Sequence, residues 1–587
     1  MKWQFDNDNL LTKWSKNINP KFPLPEYPRP NFQREKWINL NGLWDYAITK
    51  RNDISTFIDK GEILVPFPIE SALSGVKRTL NPYENLIYVR DFEIPSSWTN
   101  GRIILHFGAV DWQARVFVNS NYIGENKGGY IPFSFDVTKF VCMNDTNTLE
   151  VHVFDPTNKG RQERGKQVLK PWAVFYTAVS GIWQTVWLEY VPEVYIKSMT
   201  ITPKVDSNSV LITNFCTSAK VTDFEIRYSI FFKGKKIEER TSKINSSETI
   251  KLPNIHLWSP KEPNLYDLEV ELVKRNETLD KVKSYFGVRK IEYKKDENGH
   301  LRFYLNNEKI FMFGVLDQGY WPDGLYTAPT DEALLFDIKK AKELGFNTIR
   351  KHIKVEPLRW YYHCDREGML VWQDFPNGGS LWAGFLSMFT GKKINFKFGR
   401  KKESIKSQFY KELTNIVRTL YNFPSIVVWV PFNEGWGQFE TRKVTDYVRT
   451  LDFTRLIDSA SGWVDKGSGD IADIHKYLGP GIPKRDKKRV LTLGEFGGLG
   501  LVVENHVWKN VKPWAYKIMK NKDDLLKKYE EIINKTLELT KKGLSAAIYT
   551  QITDVEKEVN GLLTYDRLQK VETEKMRKIN EKLSNFY

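Results

Sequence analysis

The chain of 587 residues is too long for one hydrophobic core, so two to four domains are expected. Its composition, 41% hydrophobic and 27% charged, is typical of an ordinary soluble protein, and no run of about 18 apolar residues could span a bilayer. The lysines and arginines behind the formal charge of +16 are spread over the whole length without a recognition helix or zinc-finger spacing. A solvated basic surface is therefore favoured over nucleic acid or a membrane as partner.

The cysteines indicate a reducing compartment. Cys142, Cys216 and Cys364 lie far apart and are odd in number, which supports neither a disulfide framework nor a zinc site. The amino terminus also lacks the apolar core of a signal peptide. We therefore predict a cytoplasmic location, unless a leader has been removed.

The first half of the chain has the pattern of two β-domains. Residues 1–30 are polar and then proline-rich, as in an extended arm that lies on another surface. Short runs of alternating apolar and polar residues, separated by turn residues, predict a sandwich of jelly-roll type over residues 37–189. Some seven short runs over residues 191–291 predict an immunoglobulin-like sandwich, which holds no cluster of potential catalytic groups and is interpreted as a spacer.

From about residue 301 the pattern alternates strand and helix. Eight strand candidates are present, at 309–315, 346–350, 369–373, 426–430, 456–458, 471–475, 490–493 and 546–551. Helix signals separate them, such as a Thr330 cap with a Gly345 stop, and the units after strands five and six look short. Eight such units predict a (β/α)8 barrel. The predicted domains are thus a jelly-roll sandwich at 1–190, an immunoglobulin-like sandwich at 191–291 and the barrel at 292–587.

Two stretches deliver a glutamate from a buried strand into a glycine-rich turn. They are residues 426–437, which carry Asn433-Glu434, and residues 489–498, which carry Gly494-Glu495. In parallel α/β folds, substrates bind at the carboxyl ends of the strands. One such glutamate alone is better explained as a helix cap. A pair is what glycosidic hydrolysis needs, one carboxyl protonated for the leaving oxygen and one ionised to meet the charge developing on the sugar.

Polar and aromatic residues follow the other strands and converge on the same rim. The candidate substrate-binding residues are Asp317, Arg350, His352, Asp374, Asn433, Trp436, His475, Tyr477 and Tyr549. Singly, Asp374 or His475 is equally well explained as a structural residue. The 14% aromatic content fits stacking on sugar rings, with Trp321, Trp436 and Trp463 as candidate platforms, although a large aromatic core gives the same count. The loop 376–402, with Trp382 and Phe385, is expected to cover the pocket or to meet a partner subunit.

Several motifs resemble glycoside hydrolase family 2, the family of β-galactosidases, β-glucuronidases and β-mannosidases. The likeness runs almost end to end, and it is specific because several segments occur in the family's order. They are Leu40-Asn-Gly-Leu-Trp44, Val65-Pro-Phe-Pro-Ile-Glu70, Gly128-Gly-Tyr-Ile-Pro-Phe133, Ser180-Gly-Ile-Trp183, Tyr285-Phe-Gly-Val-Arg289, Gly345-Phe-Asn-Thr-Ile-Arg350, Asn433-Glu434 and Gly494-Glu495-Phe496.

The resemblance implies a retaining mechanism with Glu434 as acid/base and Glu495 as nucleophile. Their carboxyl groups would stand about 5 to 5.5 Å apart. It also implies that Asn433 bonds the sugar 2-hydroxyl or orients the nucleophile, and that Arg350 pairs with Glu495 and keeps it ionised.

Departures from the best-known members bear on the substrate. Arg350 is followed by Lys-His-Ile-Lys-Val-Glu-Pro where many relatives have Ser-His-Tyr-Pro, so the role of His352 is not carried over. The magnesium positions of large β-galactosidases have no clear match, so no metal and no cofactor are predicted. The Asn-x-Lys pair of β-glucuronidases is not evident near Asn560-Gly-Leu-Leu, and its absence counts against a glucuronidase. The basic surface weakly favours one.

The sequence therefore predicts a retaining exo-β-glycosidase, with β-galactosides as the first expected substrates. A uronide hydrolase is the main alternative within the class. A non-catalytic carbohydrate-binding protein is the alternative from another class, and a nucleic-acid-binding role is a distant third. The expected partner is a carbohydrate substrate, not nucleic acid or membrane, and homo-oligomerisation is left open.

Overall fold

The structure is a computed structural model that describes residues 2–4, 10–218, 222–379, 400–508 and 512–587. Most of the loop 376–402, predicted to cover the pocket or meet a partner, lies outside the described residues.

The amino-terminal domain is a sandwich of two antiparallel sheets. One has the order β1-β14-β5-β9 and the other β3-β2-β4-β10-β7-β8, with two short strand pairs beside them. Apolar residues that alternate along the strands, such as Tyr88, Leu105 and Val151, fill the space between the sheets. The predicted jelly-roll sandwich is confirmed. Its strands are β1 (Trp37–Asn39), β2 (Gly42–Lys50), β3 (Asp53–Val65), β4 (Glu84–Glu93), β5 (Gly101–Phe107), β6 (Val110–Asp111), β7 (Gln113–Val118), β8 (Asn121–Lys127), β9 (Phe133–Asp136), β10 (Thr146–Phe154), β11 (Gln167–Val168), β12 (Tyr176–Thr177), β13 (Gly181–Ile182) and β14 (Val186–Pro192).

The second domain is the predicted immunoglobulin-like sandwich. A three-stranded sheet, β15-β16-β19, faces a four-stranded sheet, β18-β17-β20-β21, and all pairings are antiparallel. Alternate residues such as Ile226, Tyr228 and Ile230 lie in the core between them. The seven strands are β15 (Ile196–Lys204), β16 (Ser209–Cys216), β17 (Glu225–Phe232), β18 (Lys235–Lys243), β19 (Ser247–Lys251), β20 (Tyr266–Lys274) and β21 (Glu277–Phe286).

The third domain is a nearly closed parallel barrel. Its eight strands run in the order β29-β28-β27-β26-β25-β34-β31-β30. All eight strands predicted from the sequence are present, and the fourth has the predicted bounds. They are β25 (Met312–Asp317), β26 (Thr348–Lys351), β27 (Leu370–Asp374), β28 (Ile426–Val430), β29 (Leu456–Ile457), β30 (Ile471–Lys476), β31 (Val490–Gly497) and β34 (Leu544–Thr550).

Helices cover the outside of the barrel. The first begins at Thr330, whose hydroxyl accepts the N–H of Ala333 at 3.1 Å, and ends before Gly345, where φ is +88°. In the described parts of the chain no helix follows β29 or β30, in line with the short units expected there. Within the described residues the helices are α1 (Asp331–Glu343), α2 (Leu358–Glu367), α3 (Glu403–Leu420), α4 (Thr441–Leu451), α5 (Lys522–Thr540) and α6 (Thr573–Ser584).

A small antiparallel sheet closes the amino-terminal end of the barrel. Its strands are β22 (Ile291–Lys295), β23 (Leu301–Leu305) and β24 (Glu308–Ile310). Phe303 and Leu305 of this sheet pack with the barrel residues Leu370, Val428 and Trp372. Because this end is filled with apolar side chains, only the carboxyl end is available for a polar site. A short pair, β32 (Leu499–Gly500) and β33 (Lys517–Ile518), lies in the loop after β31.

The amino-terminal sandwich packs against the open end of the barrel. Trp183 lies 5.3 Å from Tyr326, and Tyr176 lies 5.1 Å from Tyr320, between ring centroids. The arm adds to this interface, since Thr12 donates its N–H to Asp323 Oδ2 at 3.0 Å. The shared aromatic core brings loops of the sandwich to the barrel rim.

No described helix is both long enough and apolar enough to cross a bilayer. The domain boundaries at residues 190 and 291 stay predictions.

Candidate active site

Arg350, on β26, joins several strand ends at the barrel mouth. Its guanidinium is bidentate with Asp374, Nε to Oδ1 at 3.0 Å and Nη2 to Oδ2 at 2.9 Å. Nη2 also donates to Asn433 Oδ1 and Ser461 Oγ, both at 2.8 Å, and Nη1 donates to Glu495 Oε1 at 3.4 Å. Burial would lower the pKa of Arg350, but Asp374 and Glu495 raise it, so the side chain is a fixed cation.

Glu434 follows β28 in a sharp turn. Its φ is +51°, in the left-handed region that few residues other than glycine adopt. The turn is held because Glu434 N donates to Ser461 O at 2.9 Å and Asn433 N donates to Asn377 Oδ1 at 2.8 Å. Backbone strain of this kind clusters at functional sites. The carboxyl group is thereby directed across the barrel mouth towards β30 and β31.

Glu495, on β31, lies in a strongly positive surrounding. Its relative exposure is 4%. Burial would raise the pKa of Glu495, but the cations His475, Arg350 and Lys166 lower it to about 2. The carboxylate is therefore ionised throughout the neutral and mildly acidic range.

His475 and Tyr477 of the sixth strand unit connect the two glutamates. His475 Nδ1 donates to Glu434 Oε1 at 2.7 Å and lies 3.5 Å from Glu495 Oε1. Burial would lower the pKa of His475, but Glu495, Asp473 and Glu434 raise it to about 10. Tyr477 Oη donates to Glu495 Oε2 at 2.7 Å and lies 3.3 Å from Glu434 Oε1. The two carboxyl groups thus share both a cation and a hydroxyl.

The glutamates face each other at short range. One carboxylate oxygen of Glu434, one of Glu495 and one ring nitrogen of His475 all lie within 4.8 Å of one another. In the described parts of the chain this is the one group of three side chains placed to hold a metal ion. A cation bound there would occupy the carboxylates themselves.

His352 lies beside this pair as a neutral base. Its Nδ1 is 2.9 Å from Asp374 Oδ2 and 4.0 Å from Glu495 Oε1. Burial and the nearby Lys166 ammonium lower the pKa of His352 well below its usual value. The imidazole therefore offers hydrogen bonds to a ligand without adding charge.

Aromatic side chains line the same mouth. Trp436 stacks on Phe175 of the sandwich with centroids 5.2 Å apart, and Tyr477 stacks on Tyr516 at 3.7 Å. Trp436, Trp463 and Tyr477 are partly exposed. Flat, accessible rings beside two carboxyl groups suit the apolar faces of a sugar.

Asp317 does not join this set, which corrects the prediction from the sequence. Its Oδ2 lies 2.5 Å from Lys351 Nζ, and its Oδ1 accepts the N–H of Gly319 at 2.7 Å. Side chains alternate between the two faces of a strand, and Asp317 is in register with Lys351, the neighbour of Arg350. Both therefore point to the helix side of the barrel wall.

Tyr549 and Trp321 are likewise corrected. Tyr549 is 0% exposed, and its ring centroid lies 4.9 Å from that of Tyr529 on α5. Its hydroxyl accepts the N–H of Leu499 at 3.3 Å. Trp321 is 2% exposed and contacts Trp14 of the arm edge-on at 6.0 Å. Both rings are core residues, and neither has a free face for a sugar.

Lys166 and Tyr516 are among the site residues that sequence reasoning missed. Lys166 comes from the sandwich, and Tyr516 comes from the long loop after β31. Neither directly follows a barrel strand, so the strand-end pattern could not reveal them. No other signal in the sequence pointed to either residue.

Family models match all three domains. The descriptions and matched residues are "Glycosyl hydrolases family 2, sugar binding domain" at 61–192, "Glycosyl hydrolases family 2" at 194–289 and "Glycosyl hydrolases family 2, TIM barrel domain" at 299–488.

Known relatives are distant but cover much of the chain. A β-galactosidase of Thermoanaerobacter pseudethanolicus is 27% identical over 57% of this chain and 47% of that protein. A β-glucuronidase of Streptococcus agalactiae serotype V is 25% identical over 68% of this chain and 66% of that protein. The crystal structure of Ruminococcus gnavus β-glucuronidase in complex with uronic isofagomine has a TM-score of 0.76 and 17% identity, over 95% of this chain and 98% of that one. The chain spans about half the length of the first curated relatives it matches. Three family models lying in chain order, one on each domain of the fold, show that the chain belongs to glycoside hydrolase family 2.

Proposed function

We propose that the protein is a retaining exo-β-glycosidase that releases terminal β-linked uronic acids. The observation that carries the proposal is the approach of the Glu434 and Glu495 carboxylates to within 4.8 Å, with His475 beside both. Retaining glycosidases hold their two carboxyl groups about 5 to 5.5 Å apart, whereas inverting enzymes need roughly 6.5 to 9.5 Å to admit a water molecule.

In the first step Glu495 attacks the anomeric carbon and Glu434 protonates the departing oxygen. Glu495 is suited to attack because its pKa of about 2 keeps it ionised, and the Tyr477 hydroxyl holds Oε2 at 2.7 Å. Arg350 fixes the other oxygen and the amide of Asn433. That amide is thereby placed to bond the sugar hydroxyl next to the reacting carbon.

In the second step water hydrolyses the glycosyl-enzyme. Glu434, now ionised, accepts a proton from water, and the ester bond to Glu495 breaks. The imidazolium of His475 contacts Glu434 at 2.7 Å and balances the charge that moves between the two carboxyl groups. The pair then returns to its starting state.

The uronide is supported better than the β-galactoside that the sequence first suggested. The Streptococcus agalactiae relative is named a β-glucuronidase, and the Ruminococcus gnavus structure contains a uronic ligand. The Thermoanaerobacter relative named a β-galactosidase keeps β-galactosides as the second candidate. A carbohydrate-binding protein without activity is less well supported, because both carboxyl groups and their partners are in place.

A panel of p-nitrophenyl β-glycosides tests the proposal. We expect the highest kcat/KM on β-glucuronide or β-galacturonide, with β-galactoside, β-glucoside and pentosides at least tenfold lower. A preference for β-galactoside would overturn the uronide assignment while leaving the glycosidase intact. No turnover of any sugar, with binding retained, would favour the carbohydrate-binding protein.

Replacing His475 by Gln tests the electrostatic support of the nucleophile. The imidazolium lowers the pKa of Glu495, so its loss raises that pKa, and a higher pH is then needed to ionise the carboxylate. We expect the acid limb of the pH profile of kcat/KM to shift to higher pH by roughly 1 to 3 pH units. His363→Gln is the matched control, because His363 is a buried histidine on α2 paired with Asp331. An acid limb that stays in place, or moves down, would contradict this role.

We also propose a cytoplasmic location. All three cysteines are free thiols, which suits a reducing compartment.

A further inference from the structure

A loop of the amino-terminal sandwich is held on both sides of Lys166, by the barrel rim on one side and by β12 of its own domain on the other. Arg164 Nη2 donates to Gly379 O at 3.0 Å, and Gly378 N donates to Arg164 O at 2.9 Å. On the other side, Tyr176 N donates to Lys166 O at 3.0 Å. The backbone at Lys166 is therefore fixed relative to both domains.

Gly165 shows how closely this loop approaches the second strand unit of the barrel. A Cβ built on Gly165 would lie 2.8 Å from Ile353 O and 2.5 Å from Tyr326 Oη. Ile353 directly follows His352, which flanks Glu495. Only glycine at position 165 allows the loop to lie this close to Ile353 and Tyr326. Lys166, the next residue, therefore lies next to the pocket.

The Lys166 side chain is nearly buried, and none of the described carboxylates is its counterion. Its relative exposure is 8%, and Nζ lies 5.6 Å from the centroid of the Tyr176 ring. Within the described residues, no carboxylate lies within 4.0 Å of its Nζ and no acceptor takes a hydrogen bond from it. A cation on a largely buried side chain without a partner costs free energy, and an anionic ligand that binds beside it offsets that cost.

The other buried lysines of the described chain lie in the barrel domain and are already paired. Lys351 contacts Asp317 and Glu356 at 2.5 and 2.7 Å. Lys570 donates to Asp554 Oδ1 at 2.7 Å. Lys166 therefore differs from these lysines, because its ammonium is available to pair with a ligand.

We propose that Lys166 is a specificity-determining residue whose ammonium binds the carboxylate of a uronic acid in the sugar pocket. The assignment rests on the proposed function and deepens it, because it places the uronate recognition on the sandwich domain. A charged hydrogen bond of this kind favours the anionic sugar over the neutral one that carries CH2OH at the same carbon. The same ammonium is one of the charges that lower the pKa values of Glu495 and His352, which border the proposed sugar site.

Lys166→Met tests the assignment with two substrates that differ only at that carbon. We measure kcat/KM on 2,4-dinitrophenyl β-D-glucuronide and β-D-glucoside, so that the same activated leaving group makes the weaker substrate measurable. The ratio of the two, uronide over neutral, is expected to fall on the order of 100-fold. Lys166→Arg, which keeps the charge, should retain more of the ratio. Lys170→Met removes a charge from an exposed position of the same loop and should leave the ratio unchanged.

If Lys166→Met lowered kcat/KM equally for the uronide and the glucoside, the assignment would be overturned, because Lys166 would then act only through Glu495. A binding experiment separates failure of the Lys166 assignment from failure of the proposed function. It measures how much D-glucuronate and D-glucose each raise the Tm of the wild type and of Lys166→Met. Wild type that binds D-glucuronate through Lys166 but cleaves no uronide would support the assignment and overturn the function. Wild type that neither binds D-glucuronate nor cleaves uronides would overturn both.

Discussion

Replacement of Glu495 by Ala is expected to lower kcat by on the order of 10⁶-fold, the scale seen when an enzyme loses its nucleophile. The bond to the anomeric carbon cannot form without that carboxylate. The cavity left by the side chain admits a small anion, so added azide should restore turnover of an activated aryl glycoside. The product should be the glycosyl azide of inverted configuration, because azide attacks from the face that Glu495 occupied.

The control for this variant is Glu538→Ala, an exposed glutamate on α5 paired at the surface with Lys541. It should keep wild-type activity. Substantial activity of Glu495→Ala without azide would show that another residue attacks the sugar. An azide product of retained configuration would show the same.

Replacement of Glu434 by Gln is expected to act according to the leaving group. General acid catalysis contributes about 10² to 10⁴-fold, and it matters most where the departing oxygen is strongly basic. We expect kcat/KM to fall by that factor for an alkyl glycoside and by much less for a 2,4-dinitrophenyl glycoside. The kcat/KM ratio is the proper measure because it reports the glycosylation step, before Glu434 is needed as a base.

Equal losses on good and poor leaving groups would contradict the assignment of Glu434 as the acid. Gln keeps the size of the side chain and can still accept a hydrogen bond from His475, so a folding defect is not expected. The Tm of the variant should therefore stay close to that of the wild type.

The fold was predictable because each barrel strand is a short apolar run between turn residues. Residues 426–430 illustrate this, since all five are buried and the strand has the bounds expected from sequence. The immunoglobulin-like domain followed from alternation with period two, which is clear in strands such as β20 of the four-stranded sheet and β16 of the three-stranded sheet. Helices after β29 and β30 were the weakest expectation, and the described chain there runs in turns.

The site was predictable as a set of strand ends but not residue by residue. Arg350 and Lys351 are adjacent basic residues, yet one points into the barrel and the other to the helix layer. A shift of one residue in a strand exchanges these faces. For the same reason Asp317 and Tyr549 were placed at the pocket although they point away from it.

Contributions from outside the barrel were beyond the reach of sequence patterns. Lys166 belongs to the sandwich, and its loop lies against the barrel rim because Trp183, Tyr176 and their barrel partners form one aromatic core. Such contacts depend on how two domains pack, and nothing in the local sequence reports that. The structure thus adds a charged residue where composition showed only a diffuse basic surface.

The measurement that tests the central claim most directly is the configuration of the first sugar released. Hydrolysis of the best aryl β-glycoside of the panel is followed by ¹H NMR of the anomeric proton before mutarotation equilibrates the product. Two carboxyl groups that face each other at this short range predict that the β-anomer appears first. First release of the α-anomer would contradict the assignment of Glu434 and Glu495 as a double-displacement pair.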